Sequence, residues 1–179
     1  MKTTLLLPLF VRRFVSLTGL ILLLLSLTNC QRSDDATPAP TEWILVSNGQ
    51  IPANALKAGN ESDGTPIYIA RTKHEGGLHI GKARQGDIAA AIPYGGKELW
   101  LGNYEVYTGS GTWVAAVSGK TLPAGVIQGG NEPNGNRQYI GRAAIAGGIH
   151  PGKVIGTQAW IPYDGKEMAP ASFSLLTSN

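Results

Sequence analysis

The sequence predicts an all-β domain of antiparallel sheets, in which two copies of one unit share a single core about a pseudo-two-fold axis. Three observations carry this. Short runs of β-branched, aromatic or alternating apolar residues are cut by clusters of Gly, Pro, Asn and Asp. After residue 41 no stretch keeps a helical period, and the best candidate, Ala53–Lys57, is one turn long. The second half also rewrites the first: IPYGGKE from Ile92 to Glu98 returns as IPYDGKE from Ile161 to Glu167.

In the first copy, strands are expected over Trp43–Ser47, Ile67–Arg71, Leu78–Arg84, Ile88–Tyr94 and Tyr104–Thr108, with turns at Gly59–Pro66 and Gly95-Gly96. The copies run from about residue 43 to 108 and from about 113 to 177. Trp43 answers to Trp113 at an offset of 70, Lys82 to Lys153 at 71, and Pro93 to Pro162 at 69, so only short gaps separate them. One copy is too small to bury a core of its own, which predicts that the two share one.

The chain begins with a segment of another kind. Lys2, Arg12 and Arg13 precede an apolar run, Phe14–Leu27. At ~1.5 Å per residue that run covers only ~21 Å, short of the ~30 Å hydrocarbon core, so residues 1–29 read as an export signal and not as a span. The run stops at Leu27-Thr28-Asn29-Cys30 and holds the chain's one cysteine. This resembles a bacterial lipobox, although Asn29 replaces the usual small residue. Cys30 is therefore expected to carry a lipid that anchors the chain to the bacterial cell envelope, the alternative being plain secretion. Residues 30–41 join that anchor to the domain at 42–179 as a polar, Pro-containing tether. One cysteine permits no disulfide within the chain.

Of fifteen Lys and Arg, three lie in the signal, which leaves twelve against twelve Asp and Glu, all of them after Cys30. The net charge of +3 is thus a property of the targeting segment. A neutral domain with no basic stripe excludes nucleic acid as the expected partner.

The ordered motifs are Trp43/Trp113, the Gly-Asn-Glu turns at residues 59–61 and 130–132, and the pairs Tyr68/Arg71 and Tyr139/Arg142. They continue with Gly81-Lys82 and Gly152-Lys153, then IPY-x-GKE. Together they resemble the DM-nine repeat family, known from mannose-binding lectins of bivalves and from the lectin half of natterin-like proteins. The resemblance covers Trp43 to Thr177. It implies a two-repeat carbohydrate-binding module without metal or other cofactor, bound to mannose-type glycans and not an enzyme. One departure is plain: Tyr104-Glu105-Val106 fits the pattern, whereas Ser172-Phe173-Ser174-Leu175 stands in its place in the second copy.

Candidate binding residues follow the same doubling. The turns GNESDG and GNEPNG present Glu61 and Glu132, and Lys82 and Lys153 each follow twenty-one residues later. An acidic turn can be a solvated corner, a calcium loop or a hydroxyl acceptor. The EF-hand spacing fails here, with Gly59 at loop position 1 and Ala70 at position 12. The resemblance implies that Glu61 with Lys82, and Glu132 with Lys153, hold one sugar each at two equivalent sites. The family usually has Asp at the acidic position, so Glu extends the reach by a methylene.

The IPY-x-GKE stretches read as tight turns with an exposed Lys97-Glu98 or Lys166-Glu167 ion pair that fixes strand register; the alternative is that they rim the site of the other half. Trp43 and Trp113 read as core anchors, and Trp100 and Trp160 have no counterpart in the other copy. His79 and His150 are equivalent, but two ligands in separate copies make no zinc site. Two other functions stand as alternatives: a glycosidase, which would need two carboxylates in one cleft, and an envelope protein-interaction module. The partners open to the chain include a second copy, as a homodimer.

Overall fold

The IPY-x-GKE turns show why this sequence makes hairpins. Gly95 and Gly96 lie at φ 60° and 80°, and Asp164 and Gly165 at 50° and 72°. Two successive positive φ values define the two-residue turn whose twist matches antiparallel strands, and Gly-Gly and Asp-Gly are the pairs that enter it most readily. The computed structural model describes residues 42–179, all strands and turns, with no helix among them. The signal segment, Cys30 and the tether lie outside the described residues.

The first half forms β1 (Trp43–Leu45), β2 (Lys57–Asn60), β3 (Pro66–His74), β4 (Gly77–Ala83), β5 (Ala90–Tyr94), β6 (Lys97–Leu101) and β7 (Glu105–Tyr107). The second forms β8 (Thr112–Val117), β9 (Gln128–Asn131), β10 (Arg137–Ile145), β11 (Gly148–Ile155), β12 (Gln158–Tyr163), β13 (Lys166–Met168) and β14 (Ser172–Thr177). All pairings given for these strands are antiparallel, and each one in the first half has its copy in the second.

The halves are interlaced. β2 pairs with β11 through Asn60 and Ile149, β9 with β4 through Asn131 and Leu78, and β6 with β13 through Lys97 and Lys166. The order β3-β2-β11-β12-β13-β6-β5-β4 closes on itself through β3–β4, an eight-stranded ring with no free edge. β7 and then β1 extend it beside β3, while β9, β10, β14 and β8 follow in that order beside β4.

The core is shared as expected. Ile69, Ile80 and Tyr107 of the first half pack with Ile140 and Leu176 of the second, all fully buried. Each buried Ile or Leu contributes about 1.5–3 kcal/mol by leaving water. Trp43 joins this cluster, with the Arg71 guanidinium 4.0 Å from its ring centroid; Trp113 packs against it under Arg142 at 4.1 Å. Both tryptophans are therefore structural anchors.

Two strands of each half escaped the sequence pattern. β2 falls partly inside the stretch read as a turn, and β6 follows a turn that had no strand assigned after it. KAGN has no alternation and no β-former. It is a strand because Gly59 lets the backbone run against β11: a Cβ there would overlap the carbonyl oxygen of Ile149. The strand expected from Ile88 begins only at Ala90, and Ile88 is exposed.

Candidate functional site

The two Gly-Asn-Glu turns are built alike. Glu61 N–H donates to Thr65 O at 2.9 Å and Gly64 N–H to Glu61 O at 3.0 Å; the same bonds join Glu132 to Asn136 and Gly135 to Glu132. Asp63 does not point to a partner acid but caps its own turn, accepting from Thr65 N–H at 2.9 Å, a bond that lowers its carboxyl below the usual range. Since β2 borders β11 and β9 borders β4, each turn hangs over the sheet of the opposite half.

In the second half the expected pair forms. Lys153 Nζ donates to Glu132 Oε1 at 3.1 Å, and Glu167 Oε1 stands 3.8 Å away on the other side. In the first half the equivalent lysine chooses differently. Lys82 Nζ lies 3.2 Å from Glu98 Oε1, while Glu61 turns to Arg84 at 3.7 Å. Glu61 and Lys82 nevertheless line one cavity of about 230 Å³, together with Glu98, Trp100 and Tyr163. The expected equivalence of the sites thus holds for their scaffold and not for their wiring.

The reason is a few substitutions. Gln138 fills the second site from below: its Nε2 donates to Glu132 Oε1 at 2.7 Å and to His79 Nδ1 at 3.0 Å, and its Oε1 accepts from Ile80 N–H. At the matching position the first half has Ile67, which can donate nothing, and there His150 Nδ1 has no partner. Arg84 exists only in the first half; its counterpart in the second is Ile155. Asp87 fixes it through two hydrogen bonds of 3.2 and 3.3 Å and raises it further above its ordinary value.

Lys82 and Lys153 are unusually buried for lysine, at 6% and 4% exposure, which is tolerable because carboxylates surround them. Glu98 and Glu167 are not surface partners of Lys97 and Lys166. Each turns inward, and each also accepts a backbone N–H from the opposite turn, Glu98 from Gly165 at 2.9 Å and Glu167 from Gly96 at 2.8 Å. Tyr163 stands with its ring centroid 5.4 Å from Lys82 Nζ, and Tyr94 5.6 Å from Lys153 Nζ. So the repeated heptapeptide reaches the buried lysines across the halves, with Tyr163 and Asp164 rimming the first cavity, and its recurring Tyr and Glu were the signal in the sequence that would have revealed this.

His79 and His150 lie beneath the sites, packed edge-on against Tyr94 and Tyr163. Burial, then the nearby Lys153 for His79 and Lys82 for His150, holds both imidazoles below the ordinary value of 6.5. The two ring nitrogens of His79 are both engaged, Nε2 with His74 O at 3.1 Å and Nδ1 with the Gln138 amide at 3.0 Å, so its 3.8 Å approach to Glu132 is no hydrogen bond. The Tyr-Glu-Val departure also has a visible effect: Arg71 is held by Glu105 at 2.7 Å and donates to Gly129 O at 3.1 Å, whereas Arg142 faces Ser174 and keeps only the equivalent backbone bond, to Ala58 O at 2.9 Å.

A closed, duplicated β-scaffold that offers one lysine–carboxylate cradle per half defines a repeat-built binding module. The family model described as "DM9 repeat" matches twice, over residues 30–101 and 86–170, and the chain belongs to the DM9 repeat family. The two matched spans overlap at residues 86–101, the second beginning ahead of β5, inside the first Trp-led copy. The family is one of carbohydrate-binding, lectin-type modules. Among solved structures, the chain is similar to the nematode sperm cell motility protein MFP2B, with TM-score 0.54 and 16% identity over 86% of this chain and 52% of that one. At that identity the likeness concerns the fold, and this chain spans about half the length of that protein. No curated protein matches the chain.

Proposed function

We propose that this protein is a metal-independent lectin module for mannose-type glycans, with one site per half at Glu61/Lys82 and Glu132/Lys153. The observation that carries this is the buried ammonium of each lysine beside carboxylates, which in the first half lines a shallow cavity together with Glu61 and Glu98. Vicinal sugar hydroxyls fit such a cradle, since one accepts from the ammonium while both donate to carboxylate oxygens. Charge-assisted bonds of this kind contribute about 1.5–3 kcal/mol each before desolvation and entropy are counted. Affinity per site then falls in the micromolar-to-millimolar range, about 4–8 kcal/mol, and two sites raise avidity without new contacts.

The test is calorimetric titration with methyl α-mannoside alongside a glycan array, with and without chelator. Binding should survive the chelator and disappear in the Glu61→Ala, Glu132→Ala double variant. Undiminished binding by that folded variant rejects the site, and a silent array with reproducible protein capture favours a protein-interaction module. Export and anchoring at the cell envelope through Cys30 belong to the same proposal. Mass spectrometry of the mature N-terminus should show a diacylated cysteine, and an unmodified or absent Cys30 points to secretion.

A further inference from the structure

The two sites differ most in what surrounds the cradle. Trp100 lines the first cavity with 48% of its surface open, whereas Ala169 occupies the matching position of the second half. An open tryptophan beside a polar cavity is a flat apolar platform, the kind of surface on which the C–H face of a pyranose stacks. Arg84 steadies one side of it, with Cζ 5.9 Å from the ring centroid and Nε and Nη2 bound to Asp87.

Size and charge bear on what enters. The cavity, at about 230 Å³, is smaller than the ~300–1,000 Å³ that encloses a drug-sized ligand, so it takes one ring and leaves the next outside. Glu98 Oε1 is closed to solvent and pairs with the Lys82 ammonium at 3.2 Å, which holds that lysine at the cavity wall. Around the cavity stand three acids, Glu61, Glu98 and Asp164, against Lys82 and Arg84, a balance that disfavours an anionic ligand.

We infer that the first-half site is an extended one, in which the cavity binds one neutral sugar ring and Trp100 stacks the next ring of the same glycan. This rests on the carbohydrate reading above and adds a selectivity the second half lacks: neutral oligosaccharides over monosaccharides.

The test titrates the full chain and its Trp100→Ala variant with methyl α-mannoside, α-mannobiose and a disaccharide ending in a uronic acid. The unaltered chain should bind mannobiose about tenfold more tightly than the monosaccharide, the gain expected of one aromatic stack, and the variant should bind both nearly equally. The Trp100 indole N–H resonance, identified by its loss in the variant, should move with mannobiose and hardly with the monosaccharide. The uronic disaccharide should bind less tightly than mannobiose. An unchanged mannobiose preference in the variant, or tighter binding of the acid, overturns the extended site while leaving the lectin reading intact. If the unaltered chain binds no sugar at all, both readings fall.

Discussion

Glu98 of the first half accepts the backbone N–H of Gly165 in the second at 2.9 Å, and Glu167 returns the bond to Gly96 at 2.8 Å. This reciprocal clasp joins the two repeated turns and presents the other oxygen of each carboxylate to a buried lysine. Scaffold and candidate site therefore share the same two side chains.

Replacing Glu98 with Ala should remove both roles, leaving Lys82 buried beside no close carboxylate. A loss of about 3 kcal/mol is expected in urea unfolding, since breaking one partner of a buried ion pair costs more than the pair contributes. Glu167→Ala should cost less, because Lys153 keeps Glu132 at 3.1 Å. Equal losses from the two variants would contradict the wiring described.

The buried histidines predict a pH dependence. Because burial lowers His79 and His150 below 6.5 in the native state, the unfolded chain binds more protons than the folded one between the lowered values and 6.5. Their contribution is complete above about 6.5 and is lost as the pH falls through that window. Urea midpoints should thus decline from about pH 7.5 to about pH 5, and less steeply in the His79→Gln, His150→Gln double variant. Parallel declines in both proteins would show that other groups set the dependence.

Two glycines of one turn region should respond unequally to alanine. At Gly59 the new Cβ meets the backbone of β11, so Gly59→Ala should destabilise by about 3 kcal/mol or prevent folding. At Gly64, φ is +89° but nothing lies within 4 Å, so Gly64→Ala should cost about 1 kcal/mol from backbone strain alone. Thermal denaturation of the pair checks the order.

Gln138→Ile copies the first half's residue into the second. It leaves Ile80 N–H and His79 Nδ1 without their side-chain partner and should cost about 2 kcal/mol in chemical denaturation, as buried polar groups lose their bonds. A neutral result would mean that the network carries no net stability.

Local rules made much of this chain legible. Period-two alternation, Gly-Gly and Asp-Gly turns and an internal offset near 70 are properties of neighbouring residues, and they sufficed for an all-β, duplicated, shared-core domain. They also brought forward Glu61, Lys82, Glu132 and Lys153, since a polar residue kept in both copies stands out against the strand pattern. The strands KAGN and QGGN stayed hidden because only the opposite half gives them partners.

The sequence alone determined the duplication, the β class and which acids and bases belong to the repeated turns. Tertiary structure alone decided that Lys82 meets Glu98 while Lys153 meets Glu132, and that Tyr94 and Tyr163 serve each other's half. The physical reason is that a side chain's facing is a local matter of strand alternation, whereas its partner depends on the register between strands more than fifty residues apart, fixed only when the ring closes.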